Sequence, residues 1–293
     1  MSELPKYKPD WLKVKANTGE QNLRVLSILN DLKINTVCQE ASCPNCGECF
    51  AKSTATFMIL GKNCTRNCTF CNVTKGKPQE IDFDEPKNIA NAVLKLGLKH
   101  IVITSVTRDD LEDGGASRFC ECIKEIRNIC NKDIIIEVLI PDFKGEISSL
   151  KMVINAKPNI INHNVETIKR LYPVLRPMAV FERSLELLKR VKEINPSIIT
   201  KSGFMVGVSE KYDEVIKLMK ALRTVDCDIL TIGQYLAPSK RHYPIFEYIH
   251  PDIFLQYEKI GLELGFKYVA SGPLVRSSYY AEKAYNKIMG TSN

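Results

Sequence analysis

Short runs rich in isoleucine and valine recur along the chain at 56–60, 100–106, 134–140, 159–165, 198–206 and 228–236. They are apolar nearly throughout rather than alternating, as in parallel strands buried on both faces. Between and after them lie stretches of helical periodicity at 88–96, 117–130, 147–155, 181–191, 211–222 and 251–264. In the second of these, Phe119, Ile123, Ile126 and Cys130 share one face. Strand starts fall about 25 to 45 residues apart, which is βα-unit spacing, and six units are counted. A closed eight-unit barrel takes about 250 residues. Residues 56–264 therefore predict an open, partial (β/α)6 barrel of TIM type, with an open doubly wound sheet as the alternative. Residues 1–54 read as an N-terminal extension, 55–264 as the barrel and 265–293 as a C-terminal extension. That last part holds a short apolar run at 266–271 and a helical pattern at 279–288. Near the start, Leu23, Leu26, Leu29 and Leu32 are expected on one helical face.

Composition narrows the class. The 293 residues are 44% hydrophobic and 26% charged, which excludes collagen-like, disordered and coiled-coil chains. No apolar run approaches the roughly 18 to 20 residues of a bilayer span, and the first residues carry no apolar signal segment. A cytoplasmic protein with no membrane partner is expected. The net charge of +7 is dispersed, with no appended basic segment for nucleic acid.

The cysteines change the picture. Of 11, seven fall in residues 38–71: Cys38, Cys43, Cys46, Cys49, Cys64, Cys68 and Cys71. Clustered thiols in a reducing compartment point to metal rather than disulfides. Cys64, Cys68 and Cys71 form C-x3-C-x2-C directly after the first predicted strand. Three thiolates at this spacing can ligate three irons of a cubane cluster and leave the fourth open to a small molecule. A structural zinc site would want a fourth nearby Cys or His, and the nearest downstream histidine is His100.

This motif, with Phe70 before its last cysteine, resembles that of the radical S-adenosylmethionine superfamily. The block CQEASCPNCGECFAKSTATFMILGKNCTRNCTFCNV resembles the lipoyl synthase family more closely. So do TSVTRDDLEDGGASRF, NIINHNVET, LYPVLRP, TKSGFMVGVSE, GQYLAPS and SGPLVRSSYYA, which together reach over nearly the whole chain. The resemblance implies a 4Fe–4S cluster on Cys64, Cys68 and Cys71 whose open iron chelates S-adenosyl-L-methionine, giving a 5′-deoxyadenosyl radical on reduction. It implies an auxiliary 4Fe–4S cluster on Cys38, Cys43 and Cys49 with a serine of the RSSY segment, placed at Ser278 with Ser277 as the fallback. It also implies that this second cluster is sacrificed, its sulfide entering C6 and C8 of an octanoyl chain on a carrier lysine. The implied partners are an octanoylated lipoyl carrier domain (2-oxoacid dehydrogenase E2 or glycine cleavage H protein) and a low-potential electron donor. Cys46 falls where the family motif is open and receives no ligand role.

Thr104, Ser105, Asn164, Glu166, Arg176 and Lys201 lie in family blocks and near predicted strand ends. They are expected to contact S-adenosylmethionine or the substrate, because barrel enzymes collect their chemistry at the strands' C-terminal ends. Cys120, Cys122, Cys130 and Cys227 read as buried apolar thiols, His163 as a satisfied histidine at the barrel mouth, and Gly114-Gly115 as a turn. The competing classes are another two-cluster radical enzyme, such as an RNA methylthiotransferase, and a ferredoxin-like carrier or zinc module. A carrier has no need of a six-unit barrel.

Overall fold

The computed structural model describes residues 8–14, 19–51, 55–130, 133–279 and 281–290. One sheet contains β1 (Asn35–Thr36), β2 (Thr56–Ile59), β3 (His100–Ser105), β4 (Ile135–Leu139), β5 (Ile160–Asn162), β6 (Ile199–Val206), β7 (Ile229–Gln234) and β8 (Tyr268–Gly272). The strands lie side by side in chain order, β1 antiparallel to β2 and every later pair parallel. A doubly wound sheet would reverse that order at a switch point, so the winding is that of a barrel. Among the described strands none joins β8 to β1, and the sheet stays open. The expected partial barrel is present, with one addition. The run at 266–271 supplies β8, a seventh parallel strand beside β7.

The helices are α1 (Glu20–Asp31), α2 (Val37–Glu40), α3 (Cys46–Ala51), α4 (Glu85–Leu96), α5 (Ala116–Ile129), α6 (Ile147–Asn155), α7 (Tyr172–Leu175), α8 (Phe181–Ile194), α9 (Tyr212–Arg223), α10 (Pro251–Glu263) and α11 (Ala281–Met289). None of the described helices is long and apolar enough to cross a membrane. The α4 helix starts three residues before its apolar pattern, because Pro86 occupies its first turn, where a missing N–H costs nothing. The leucine stripe expected at 23–32 is inward except at its first member. Leu29 is buried and Leu26 and Leu32 pack against the core, joined by Asn22 and Val25, while Leu23 is exposed.

Residues paired across parallel strands point to the same side. Met58, Thr104, Leu139, Asn162, Lys201, Ile229 and Tyr268 therefore form one row on the lumen face. The base of the lumen is apolar: Ile160, Ile199 and Ile229 meet Ala284, Tyr285 and Ile288 of α11. Burying such a branched side chain stabilises by about 1.5–3 kcal/mol, so α11 closes the barrel from below. Higher up, the lumen admits the chain that follows β8. A Cβ on Gly233 would lie 2.1 Å from the Val275 carbonyl oxygen, so only glycine lets that segment pass.

Candidate metal centre

The loop after β2 carries Cys64, Cys68 and Cys71, all free and partly buried. Neighbouring loops pin its backbone. Cys64 N–H donates to the Thr74 carbonyl at 2.8 Å, and Thr65 N–H to that of Thr107 at 3.0 Å. Thr69 N–H donates to the Leu175 carbonyl and accepts at its own carbonyl from Tyr243 N–H, each at 3.0 Å. Arg66, inside the motif, is clamped as well. Its Nε and Nη2 donate to the two oxygens of Asp109 at 2.7 and 2.9 Å, and Nη2 also to Asp142 Oδ1 at 2.6 Å. Arg66 and Asp142 are both buried, so this planar fork is a rigid strut under the loop.

The three thiols feel one another. Burial pushes Cys71 up to about 12, and the charges of Cys68 and Cys64 add to the rise. Burial likewise raises Cys68, opposed by Arg176 and reinforced by Glu166 and Cys64. Glu166 and Arg176, both expected at the site, therefore do flank the motif. Glu166 adopts φ +64°, a left-handed conformation that a non-glycine residue holds only when its surroundings fix it. Here Glu166 N–H donates to the Gly203 carbonyl at 3.0 Å, and Met205 N–H returns to the Glu166 carbonyl at 2.9 Å. This turn ends β5 after three residues and aims the carboxylate toward the cysteines. Arg176 donates from Nη1 to the Asn164 and Val165 carbonyls and to Tyr172 Oη. Its buried Nε has no hydrogen-bond partner.

The other expected contacts do not converge there. Lys201 is the third residue of β6, well below the mouth, and its Nζ lies 2.9 and 3.1 Å from the Glu137 carboxylate oxygens. Both side chains are essentially unexposed, so Lys201 neutralises a buried glutamate. Strand alternation places Thr104 on the lumen face and Ser105 on the opposite one, in register with Ile59. Thr104 Oγ1 donates to the Leu139 carbonyl at 3.0 Å, while Ser105 Oγ is buried without a partner. Asn164 accepts at Oδ1 from Ser277 Oγ at 3.1 Å, and its amide group holds Glu166. His163 is satisfied on both ring nitrogens, by the Ile140 carbonyl at 2.8 Å and Ser184 Oγ at 3.0 Å. Gly115 forms the turn before α5, where a Cβ would strike Leu60 Cδ1 at 2.3 Å.

The second set of thiols lies on two short helices. Cys38 belongs to α2, whose N-terminus Thr36 caps through its hydroxyl, and Cys46 and Cys49 belong to α3. The link between them is tight: Cys43 N–H reaches the Cys38 carbonyl at 3.0 Å, and Cys46 N–H that of Cys43 at 3.2 Å. Burial pushes Cys38 up to about 12, with Cys43, Cys49 and Cys46 all adding to it. Cys46 thus stands in the same group. The C-terminal segment closes over it. Asn45 Nδ2 donates to the Leu274 carbonyl at 2.7 Å, and Tyr279 Oη to Glu48 Oε2 at 3.0 Å. Burial lowers the Arg276 guanidinium's pKa, and the Cys43 charge opposes that, so the two are neighbours. Ser277 and Ser278 therefore lie between two ties to the Cys43–Cys49 stretch. Asn72 connects both motifs, its Nδ2 donating to the Glu40 carbonyl at 2.9 Å and to Ser42 Oγ at 3.2 Å.

The residues present fit two clusters. Each set gathers at least three soft sulfur donors, and burial disfavours the bare thiolates of Cys68 and Cys71 in the first and of Cys38 and Cys46 in the second, a cost that bound iron offsets. Among the described residues, no three His, Cys, Asp or Glu side chains stand close enough together to hold a metal ion. Arg66, Asp109, Asp142 and Asn45 complete this architecture and were not singled out from sequence. Arg66 and Asn45 carried a signal by standing inside the cysteine motifs, and Asp109 by lying in the block TSVTRDDLEDGGASRF.

The sequence profile of the Radical SAM superfamily matches residues 58–222. Lipoyl synthase of Caldicellulosiruptor bescii is 56% identical over 275 residues, covering 94% of each chain. That of Alkaliphilus metalliredigens is 56% identical over 282 residues, covering 96% of this chain and 97% of its own. This chain belongs to the lipoyl synthase family. As a member it is a radical S-adenosylmethionine enzyme of the sulfur-inserting type. Two solved structures share the fold of this lipoyl synthase family member at low identity. HydG, a maturase of the [FeFe]-hydrogenase, aligns with TM-score 0.58 at 12% identity over 93% of this chain and 67% of its own. Streptococcus suis SuiB bound to S-adenosylmethionine aligns with TM-score 0.54 at 11% identity over 82% and 52%.

Proposed function

We propose that this chain inserts two sulfur atoms, at C6 and C8, into an octanoyl group amide-linked to a lysine of a carrier domain. The carrier belongs to a 2-oxoacid dehydrogenase E2 or a glycine cleavage H protein, and the reaction draws on a low-potential electron donor in the cytoplasm. Cys64, Cys68 and Cys71 would hold one 4Fe–4S cluster, and Cys38, Cys43, Cys49 and Ser278 the auxiliary one. When bound, the first supplies the electron that cleaves S-adenosylmethionine and the second supplies the sulfide that is inserted.

The chain's own residues arrange this. Arg66, fixed by Asp109 and Asp142, orients the first cysteine loop. Glu166 accepts from the ammonium or ribose hydroxyls of S-adenosylmethionine, and Arg176 Nε, buried and unpartnered, donates to it. Asn164 fixes the Glu166 carboxylate. The α11 plug excludes water from below.

The observation that carries the reading is the tie of residues 274–279 to residues 45–48, which sets a serine-bearing segment against the second thiol group. A serine oxygen is a hard ligand among soft sulfurs, suited to an iron that must leave. The test is anaerobic reconstitution, iron counting and mass spectrometry of an octanoyl-lysine peptide after turnover. About eight irons per chain and a dithiolated product are expected. A zinc-only protein, or iron-loaded protein that cleaves S-adenosylmethionine without thiolating the peptide, overturns the reading.

A further inference from the structure

A buried polar chain crosses the lumen from the barrel wall to the C-terminal segment. Lys201 Nζ pairs with Glu137. Asn162 Nδ2 donates to Glu137 Oε1 at 3.0 Å and to Ser277 Oγ at 2.9 Å. Ser277 Oγ then donates to Asn164 Oδ1 at 3.1 Å. Glu137 and Asn162 are both fully buried. No part of the proposed chemistry uses Glu137 or Asn162.

The direction of this chain is fixed by charge. Although burial opposes it, Lys201 and then His100 hold Glu137 below its usual range, so its carboxylate only accepts. Asn162 must therefore turn its NH2 group toward Glu137, and the same group meets Ser277. The Ser277 hydroxyl consequently accepts from Asn162 and has its one proton free for Asn164. That hydroxyl therefore both accepts and donates within the lumen, which commits Ser277 to the barrel wall. Ser278, its neighbour, takes no part in this network among the described residues. The passage at Gly233 beside the Val275 carbonyl holds the same segment from the other side.

We propose that Ser277 is a positioning residue, anchored in the lumen by Asn162 and Asn164, which sets Ser278 toward the second thiol group. The proposal rests on the reading of that group as a cluster site. Glu137 and Lys201 act one step further back, by orienting Asn162. The segment thus has three ties: Asn45 before it, Ser277 within it and Tyr279 at its end.

Hydrogen exchange and iron-site spectroscopy on the full-length chain test this. In the metal-free protein, Ser277→Ala and Asn162→Ala are each expected to speed amide exchange over residues 274–278 about tenfold, the scale set by losing one or two such hydrogen bonds. Ser277→Thr, which keeps the hydroxyl, restores slow exchange. Ser278→Ala leaves exchange at the wild-type rate. For the cluster, the parent carries Cys64→Ala, Cys68→Ala and Cys71→Ala, so that only the second thiol group can be loaded. In that parent, Ser277→Ala keeps the Mössbauer spectrum but loses iron to a chelator several-fold faster. Ser278→Ala changes the spectrum itself.

Wild-type exchange in Ser277→Ala overturns the anchor. So does a Ser277→Ala spectrum that matches Ser278→Ala, which would make Ser277 the ligand. A parent that binds no iron defeats the cluster reading instead, and the exchange measurements then still decide whether Ser277 anchors the segment.

Discussion

Asn45 donates its side-chain amide to the backbone carbonyl of Leu274 at 2.7 Å, joining two positions 229 residues apart. Asn45 is 3% exposed, while Leu274 is half-buried. Asn45→Ala removes the bond at a cost of about 0.5–1.5 kcal/mol. The expected outcomes are a lower denaturation midpoint and faster proteolysis near residue 274. Asn45→Asp recovers neither, because a carboxylate cannot donate.

The two thiol groups should separate by mutation. Cys68→Ala is expected to abolish formation of 5′-deoxyadenosine, read by chromatography after anaerobic turnover with dithionite. Cys43→Ala should retain part of that activity and lose sulfur insertion into the octanoyl peptide. Loss of insertion alone in both variants would contradict the assignment of the first group to S-adenosylmethionine.

Arg66→Lys keeps the charge but not the planar fork that spans Asp109 and Asp142. The first cysteine loop loses its strut. Iron retention by Cys64, Cys68 and Cys71 should fall several-fold against a chelator, with the second group unaffected. Equal loss from both groups would show a general destabilisation instead.

Lys201→Met leaves Glu137 buried without its partner, a change that destabilises by about 3–5 kcal/mol. Adding Glu137→Gln should recover much of the loss, measured by chemical denaturation of the metal-free chain. In the unsubstituted chain Glu137 is held down to about 2 by Lys201 and His100, against burial. Its contribution is complete above the ordinary glutamate value of about 4.3 and is lost as pH falls from there. The melting temperature should drop on acidification through that window, and Glu137→Gln should flatten the slope.

His163 titrates in the same direction by a different cause. Burial, helped by Arg176, depresses it to about 4, so the folded chain keeps it neutral. The unfolded chain binds that proton from about pH 6.5 downward. Stability therefore rises with pH between these values. NMR of the ring protons should show no His163 titration above about pH 5, well below the ordinary histidine midpoint; a midpoint near pH 6.5 would contradict the buried, satisfied geometry.

The barrel and the cysteine motifs were legible because their signals are local. Continuous apolar runs mark parallel strands, and C-x3-C-x2-C fits within one loop. Glu166 and Arg176 stand in the blocks NIINHNVET and LYPVLRP, and the fold brings both beside Cys68. Lys201 was misplaced because a polar residue in a strand does not announce its depth. Only the partner strand, with Glu137 facing it, reveals that the ammonium is committed. Ser105 was misplaced by strand parity. The ties that bring the C-terminal segment to the second thiol group left almost no trace. One of them ends on the Leu274 main-chain carbonyl, which every residue type offers alike.

The distance between Asn45 and Leu274 along the chain is also an interval in time. A ribosome adding about 5–20 residues per second needs roughly 10–50 s to traverse the 229 residues between them. Through that interval Cys38, Cys43, Cys46 and Cys49 are already made, while the segment that covers them is not. On the function proposed above, loading of this group with a serine in place would be a post-translational event, and iron delivered earlier would meet an open set of thiols.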